Sequence, residues 1–333
     1  MKKKRIDEIA DKLGVTKSTV SRTLRHCHNV DSDTRRTILR EFGKEALFSD
    51  GYFPVYVILP DNPNHFWAHL YEELAKQERT LGLPVKYNIY TNLSGTDIVL
   101  HYLEEAERIG SKAVIIAAVI TPEIRKKLIQ MQEHCAIFLL CEFGDIVNTF
   151  YFGPDYYADG RSAAQFYLDR YPDHKAVTIS LADIRGIEMK NEGFCDRVRE
   201  CKGKDAVREY VIDVETSLDS RLFASKLAYK LSEWLSNDEK YCLYIPFGSG
   251  NIAAGIKKTG MKEKIICICH DTKPTADSSG IYAVYINQNL HLQAEAVFKA
   301  AEKYLRTGCL PDQKFTYIPS VICDASHGIE ESD

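Results

Sequence analysis

The chain has 333 residues, of which 45% are hydrophobic and 27% are charged, and its net charge is −4. A chain of this length predicts two or three compact units. Its longest apolar run, residues 113–120, is too short for a membrane-spanning helix of about 20 residues, and no apolar signal segment follows the basic N-terminus. The ten cysteines are irregularly spaced, which is typical of a reducing compartment. We therefore expect a cytoplasmic protein with no membrane partner and no disulfide framework.

Net charge separates the first 45 residues from the rest of the chain. Residues 1–45 carry 12 Lys and Arg against 7 Asp and Glu, a net charge of +5. Residues 46–333 carry 31 against 40, a net charge of −9. A basic head on an acidic body indicates that the head meets a polyanion and that the body does not.

The head begins with the apolar spacing of two short helices. Four residues at i, i+3, i+4 and i+7 form one apolar stripe: Ile6, Ile9, Ala10 and Leu13. Gly14 ends this helix, and Thr16 is a good N-cap for a second helix over residues 17–25. The short turn between the two helices predicts a helix-turn-helix.

The outward face of the second helix carries hydroxyls and cations, with no acid among them: Lys17, Ser18, Ser21, Arg22 and Arg25. In a recognition helix the first residues reach base edges in the major groove, where Lys and Arg bind guanine and Ser donates or accepts. Hydroxyls at a helix start also bind phosphates. The alternative is a solvated polar face on a generic three-helix unit.

A third helix is predicted to begin near Asp31. Its apolar face is Ile38, Leu39 and Phe42. Between the second and third helices stands a His-Cys-His tripeptide at residues 26–28. Adjacent residues point in different directions and no second set of ligands accompanies them, so we predict no metal site. We interpret the tripeptide as the exit from the recognition helix.

From residue 55 onward, apolar runs alternate with longer amphipathic stretches. Nine runs are typical of buried strands: residues 55–60, 85–90, 113–119, 136–141, 149–153, 176–180, 241–246, 264–269 and 281–287. Alternation of strands and helices predicts parallel sheets covered on both faces by helices. Nine strands over about 275 residues suggest two such units, so the expected class is α/β with a three-helix head.

Two segments of the head resemble a known family. The stretch IADKLGVTKSTVSRTL, residues 9–24, resembles the N-terminal signature of the lactose repressor (LacI/GalR) family, and NVDSDTRRTI, residues 29–38, resembles its entry to a third helix. The resemblance implies base-reading positions for Lys17, Ser18 and Arg22. It implies phosphate-contacting positions for Thr19, Ser21, Asn29 and Thr34.

The body resembles the type I periplasmic sugar-binding fold, which is the effector domain of the same family. The resemblance implies a DNA-binding domain at residues 1–45, a short linker at 46–54 and an effector domain at 55–330. It implies one lobe at about residues 55–154 and 286–314, and a second lobe at about 155–285 and 315–330. A ligand is expected between the lobes, at the carboxyl ends of the strands.

The same resemblance implies a set of effector-binding residues: Asn64, Phe66, Trp67, Glu142, Asp155, Lys190, Ser249, Asp271 and Gln288. For Phe66 and Trp67 the alternative is helix core. Two positions depart from the family pattern, because Lys190 stands where relatives carry Arg, and Ser249 with Gly250 replaces an Asn-Asp pair. Lys cannot form the bidentate fork of Arg, so no particular sugar is transferred to this chain.

The connection between head and body also departs from the family. Relatives carry a hinge segment whose paired helices push a Leu wedge into the minor groove. Here only about nine residues, 46–54, separate the head from the first strand, and the hinge pattern is absent. We interpret them as an ordinary short linker, so that signal passes through the relative placement of two heads in a dimer.

The sequence predicts a ligand-responsive, sequence-specific DNA-binding regulator that acts as a homodimer, and the family resemblance favours repression. The expected partners are double-stranded operator DNA, a small-molecule effector of the carbohydrate class, and a second copy of the chain. We find no catalytic constellation and expect no enzyme activity, no cofactor and no metal. Two alternatives are a small-molecule carrier whose head has lost DNA function, and a sugar-acting enzyme fused to a DNA-binding head.

Overall fold

The computed structural model describes residues 2–24, 34, 38, 53–60, 65–90, 95–212, 220–236, 238–247, 252–270 and 281–324. Four residues predicted to bind DNA or effector lie outside the described residues: Asn29, Asn64, Ser249 and Asp271. The same holds for Arg25, the tripeptide at 26–28, Asp31, Leu39, Phe42, and residues 46–52 of the linker.

The described part of the chain alternates helices and strands after two N-terminal helices. The helices are α1 (Lys2–Leu13), α2 (Lys17–Leu24), α3 (His65–Leu81), α4 (Thr96–Arg108), α5 (Pro122–Met131), α6 (Tyr156–Arg170), α7 (Arg185–Lys202), α8 (Ser220–Trp234), α9 (Ile252–Lys258) and α10 (Leu290–Thr307). None of the described helices combines the length and apolar composition needed to cross a bilayer.

Twelve strands are described, and they form two six-stranded sheets. The strands are β1 (Val55–Pro60), β2 (Val85–Tyr90), β3 (Ala113–Ile116), β4 (Ala136–Leu140), β5 (Thr149–Gly153), β6 (Lys175–Leu181), β7 (Val207–Ile212), β8 (Tyr241–Ile245), β9 (Ile265–His270), β10 (Tyr282–Asn287), β11 (Phe315–Tyr317) and β12 (Val321–Asp324). The predicted α/β class is confirmed, and all nine predicted strands are present.

The first sheet has the strand order β11-β5-β4-β3-β1-β2. Strands β1 to β5 pair in parallel, with Val55 opposite both Val85 and Ala113. All residues of β1, β3 and β4 are buried, as expected for strands that helices cover on both faces. The order reverses between β1 and β3, which is the switch point where doubly wound sheets bind ligands.

The second sheet repeats this order as β12-β10-β9-β8-β6-β7. Its reversal lies between β6 and β8, and its parallel register places Lys175 opposite Tyr241. Strand β12 pairs with β10 in antiparallel fashion. The sheet therefore has one antiparallel pair, whereas a parallel sheet was predicted. One core packs against each face, and both consist of strand residues and the apolar stripes of neighbouring helices.

The body divides into two compact units. The first contains β1, His69–Phe152 and His291–Thr316, and the second contains Gly153–Leu290 and the chain from Tyr317 onward. The first turn of α3, up to Ala68, is grouped with the second unit. Apart from this short segment, the chain changes unit after Phe152, Leu290 and Thr316.

The head has its own small core of Ile9, Ala10, Val20 and Ile38, each at most 4% exposed. Ile6, Leu13 and Val15 pack against this core. Thr34 and Ile38 are helical, which agrees with the predicted third helix. Buried residues from α1, α2 and this segment thus hold the helix-turn-helix together.

Candidate functional site

The turn between α1 and α2 fixes where the second helix begins. Gly14 has φ +64, a left-handed conformation that costs glycine little, and the Val15 N–H donates to the Ala10 carbonyl at 3.0 Å. This is the hydrogen bond that closes a Schellman motif, with Val15 packed on the helix it ends. The predicted helix end at Gly14 is confirmed.

Thr16 caps α2 through its side chain. Its Oγ1 accepts a hydrogen bond from the Thr19 N–H at 3.0 Å, as an N-cap residue does. The same oxygen lies 2.9 Å from Ser18 Oγ and 2.8 Å from Thr19 Oγ1. Three hydroxyls therefore gather at the start of the helix, where free backbone N–H groups also favour anions.

The predicted DNA-contacting residues of α2 differ in exposure. Lys17, Ser18 and Arg22 are exposed, whereas Thr19 and Ser21 are half-buried. The half-buried Thr34 is the remaining described member of the predicted set. The arrangement presents two cations and a cluster of hydroxyls, which are the groups that contact bases and phosphates in a recognition helix.

An acid of α1 reaches this surface. Asp7 Oδ1 lies 3.0 Å from Lys17 Nζ, and the two side chains are 41% and 63% exposed. No acid stands on the outward face of α2, but helix α1 supplies one next to its first residue. Sequence reasoning missed Asp7, because the contact joins residues of different helices.

In the second unit, a close crossing of α6 and α7 positions Lys190. A Cβ added to Gly160 would lie 2.0 Å from the Lys190 carbonyl oxygen, and a Cβ added to Gly193 would lie 2.1 Å from the Tyr157 carbonyl oxygen. Only glycine at these two positions lets the helix backbones approach so closely. The side chain of Lys190 is consequently held in the interior, where the residue is 5% exposed.

The Lys190 ammonium lies 4.6 Å from the centre of the Tyr156 ring. That distance is within the range of a cation–π interaction, which is stronger at a desolvated site. Gly186 makes room for the ring, since a Cβ there would lie 2.7 Å from Tyr156 Cε2. Tyr156, the first residue of α6, thus places its ring against the lysine, and Gly186 in the first turn of α7 leaves space for that ring.

His270, the last residue of β9, belongs to the same neighbourhood. It is fully buried, its Nε2 lies 2.9 Å from the Tyr244 hydroxyl, and its Nδ1 has no hydrogen-bond partner among the described residues. Burial lowers the pKa of His270 well below 6.5, and the positive charge of Lys190 lowers it further. The imidazole is therefore neutral at pH 7.

Asp155 and Gln288 lie near two of the points at which the chain changes unit, after Phe152 and Leu290. Asp155 caps α6, because its Oδ1 accepts from the Ala158 N–H at 3.0 Å. Gln288 is 3% exposed and sits inside a turn in which Asn287 Oδ1 accepts from the Asn289 N–H at 3.0 Å. Asp155 was predicted to bind effector, and the described contact gives its carboxylate a capping role.

The first unit carries Glu142 at the carboxyl end of β4. Glu142 is half-buried and follows Cys141, a buried residue with φ +62. The Cys141 thiol donates to Gln293 Oε1 at 3.2 Å. Non-glycine residues with positive φ are uncommon and cluster at functional sites, so this turn is a second candidate for ligand contact.

Phe66 and Trp67 are in edge-to-face contact with ring centres 4.8 Å apart. Trp67 is 9% exposed, whereas Phe66 is half-buried. Trp67 therefore fits the alternative of helix core better than Phe66 does.

The structure adds three residues that the sequence analysis did not predict near Lys190: Tyr156, Tyr244 and His270. Of these, only His270 could have been noticed in the sequence, as an isolated histidine in an apolar strand.

Comparison with known proteins identifies the head. Residues 5–40 match the family model for bacterial regulatory proteins of the lacI family. This range contains α2 and the turn that precedes it. The head is a helix-turn-helix domain of the lacI family.

The body is similar to several solved sugar-binding proteins. GanP, a glucose-galactose binding protein from Geobacillus stearothermophilus, is 15% identical with a TM-score of 0.69, covering 84% of this chain and 99% of that one. A Caulobacter myo-inositol binding protein bound to myo-inositol is 16% identical, and an Agrobacterium radiobacter solute binding protein in complex with D-arabinose is 13% identical. Both have a TM-score of 0.69 and cover 84% of this chain and 96% of theirs.

At these identities the likeness shows the fold alone, which is that of the periplasmic sugar-binding proteins. No curated protein matches the chain in sequence.

Proposed function

We propose that the chain is a transcription regulator that binds specific double-stranded DNA through its head and responds to a small molecule bound by its body. The observation that carries the proposal is the exposed polar surface of α2. Lys17 and Ser18 at the start of the helix and Arg22 in its last turn are exposed, and Thr16 caps the helix in a domain of the lacI family. A short capped helix with exposed cations and hydroxyls fits the major groove.

We assign roles to the residues of this surface by their chemistry. Lys17 and Arg22 donate to guanine O6 and N7, and Ser18 donates to or accepts from a base edge. Thr19, Ser21, Asn29 and Thr34 contact phosphates and fix the position of the head on the duplex. The +5 charge of residues 1–45 adds a salt-dependent attraction to any DNA.

We propose a sugar or sugar-like effector for the body. What supports this is the fold that the body shares with sugar-binding proteins, together with polar side chains near strand ends in both units. Lys190, Gln288 and Asp271 are assigned to the effector in the second unit, and Glu142 in the first. Asn64, Phe66, Trp67, Asp155 and Ser249 complete the proposed set. No enzymatic step is part of the proposal.

We further propose that the chain acts in the cytoplasm as a homodimeric repressor. A two-fold dimer presents two α2 helices to half-sites one DNA turn apart, roughly 34 Å, so the operator is expected to be near-palindromic. The linker at residues 46–54 is short, and effector binding changes the separation of the two heads. The changed spacing of the heads then alters the affinity for the operator.

The test begins with selection of genomic DNA fragments by the full-length chain. We expect enrichment of one near-palindromic sequence whose affinity exceeds that of a scrambled duplex by about 10³-fold or more. Recovery of fragments without a shared sequence would contradict specific recognition. The enriched duplex then serves as the probe for the effector.

The effector step measures both melting temperature and DNA affinity. D-glucose, D-galactose, D-arabinose and myo-inositol are added singly, because stabilisation reports binding to the folded state. A compound that raises Tm and changes affinity for the enriched duplex, in either direction, supports the proposal. A compound that raises Tm and leaves DNA affinity unchanged supports a carrier instead, and turnover of the compound supports an enzyme.

A further inference from the structure

The ion pair of Asp7 with Lys17 presents a donor and an acceptor side by side on the proposed DNA-binding surface. Lys17 Nζ and Asp7 Oδ1 are 3.0 Å apart, with more than two-fifths of each side chain exposed. An exposed pair of this kind contributes little to stability. It is therefore not needed to hold α1 and α2 together, a task that the buried residues Ile9 and Val20 perform.

Lys17 stands at a position where a nearby acid affects the placement of its ammonium. Lys17 is the first residue of α2, where the positive end of the helix dipole disfavours a cation. The Asp7 carboxylate offsets this repulsion and fixes where the ammonium stands. A carboxylate on a surface that meets phosphates repels DNA, and a contact with the duplex would offset that repulsion.

A G·C base pair offers that contact. In the major groove guanine presents the acceptors O6 and N7, and its cytosine partner presents the N4 amino donor. Guanine O6 and cytosine N4 are hydrogen-bonded to each other, so they lie about 2.9 Å apart. This spacing matches the 3.0 Å between Lys17 Nζ and Asp7 Oδ1. Lysine donates to guanine, and Asp accepts from cytosine.

We infer that Asp7 and Lys17 together read one G·C base pair, which makes Asp7 a specificity-determining residue supplied by α1. The inference rests on the proposed DNA-binding function and names a residue and a base pair within it. An A·T pair in the same orientation exchanges donor and acceptor, and a T·A pair places the thymine methyl group where guanine offers its second acceptor, N7, to the lysine.

The experiment measures the relative affinity of the full-length chain for the enriched duplex with each base pair changed in turn. The variants are Asp7→Asn, Lys17→Ala and both together. Asp11→Asn is the matched control, because Asp11 is an exposed acid of the same helix. The Asp7 side chain is 41% exposed and its amide has the same shape, so the variant folds as the wild type does.

We expect Asp7→Asn and Lys17→Ala to lose discrimination at the same base pair, by about tenfold in relative affinity. The double variant should lose no more than either single variant, because the two groups act on one pair. Asp11→Asn should raise affinity for every duplex alike, through its change in charge.

Two results would overturn the inference. If Asp7→Asn behaves as Asp11→Asn and raises affinity uniformly, Asp7 only adjusts the charge of the head. If Asp7→Asn and Lys17→Ala relax different base pairs, the two residues do not share one. A wild-type chain with no base preference at any position would instead overturn the proposed function, and the inference with it.

Discussion

Lys190 lies over the face of Tyr156, with its ammonium 4.6 Å from the centre of the ring, although 33 residues separate the two in the sequence. The crossing of α6 and α7 at Gly160 and Gly193 brings them together. His270 stands close enough that the charge of Lys190 lowers its pKa. This group is the best-defined part of the proposed effector site.

The first prediction concerns Lys190→Met. Methionine keeps the approximate volume of the side chain but removes the cation–π contact with Tyr156, which is worth about 2 kcal/mol at a desolvated site, so the variant should still fold with a lower Tm without ligand. The ligand contact is lost as well, so the compound that stabilises the wild type should no longer raise Tm. Thermal unfolding with and without this compound checks both expectations.

Lys257→Met is the matched control for this prediction. Lys257 is an exposed lysine of α9 in the same unit, and its removal should leave the ligand-induced rise in Tm unchanged. Retention of that rise in Lys190→Met would show that Lys190 does not contact the effector.

The second prediction concerns the glycines of the α6–α7 crossing. An alanine at Gly160 or Gly193 would place its Cβ about 2 Å from a backbone carbonyl oxygen. The helices must then separate, and we expect each substitution to lower the free energy of unfolding by about 1–3 kcal/mol or more. Urea denaturation of the purified variants measures the loss.

Gly255→Ala provides a graded comparison. Its Cβ would first meet Leu227 Cδ2 at 2.7 Å, and a leucine side chain can move. The better helix propensity of alanine, about 1 kcal/mol, should offset most of that strain. Equal losses at Gly160 and Gly255 would contradict the argument that backbone approach makes glycine necessary.

The sequence predicted those features that depend on local chemistry. Gly14 and Thr16 mark the helix-turn-helix because a helix end and an N-cap are set within a few residues. Apolar runs likewise identified nine of the strands. Strand β7 was missed because Arg208 and Glu209 are exposed at the edge of its sheet, so it shows no apolar run.

The surroundings of Lys190 could not be predicted in the same way. They depend on how α6, α7 and β9 meet, and these elements are far apart in the sequence. The Asp7–Lys17 pair could not be predicted for the same reason, because it joins two helices across a turn. Residue types indicated which kind of site to expect, whereas the contacts within the site depend on how the helices and strands pack together.

The third prediction concerns pH and His270. Its pKa is depressed in the folded chain by burial and by Lys190, so the unfolded chain binds a proton that the folded chain does not. The contribution of neutral His270 to stability is therefore fully present above the unfolded-state pKa of about 6.5, and it falls as the pH drops below that value. The loss from one such group is about 1.4 kcal/mol per pH unit.

His270→Gln should flatten this dependence. Glutamine does not titrate, and it can still accept a hydrogen bond from the Tyr244 hydroxyl. Urea unfolding of both proteins at pH 7.5 and 5.5 measures the difference. His174, whose pKa burial also lowers, titrates equally in both proteins. An identical loss in wild type and variant would show that His270 takes up its proton in the folded state.

The fourth prediction concerns the cap of the proposed recognition helix. Thr16→Ala removes the oxygen that accepts from the Thr19 N–H, at a cost of about 1 kcal/mol. Amide hydrogen exchange at Thr19 should then be about fivefold faster, while Thr16→Ser should keep its protection. Unchanged exchange in Thr16→Ala would mean that the side chain does not cap α2.

The most direct test of the central claim is the affinity of Arg22→Ala for the enriched duplex and for a scrambled duplex at one salt concentration. Lys12→Ala is the control, because it removes one positive charge from α1, outside the proposed base-reading surface. We predict that Arg22→Ala loses about 1–3 kcal/mol on the enriched duplex and much less on the scrambled one. Lys12→Ala should weaken both alike. An equal loss of Arg22→Ala on the two duplexes would contradict sequence reading by α2.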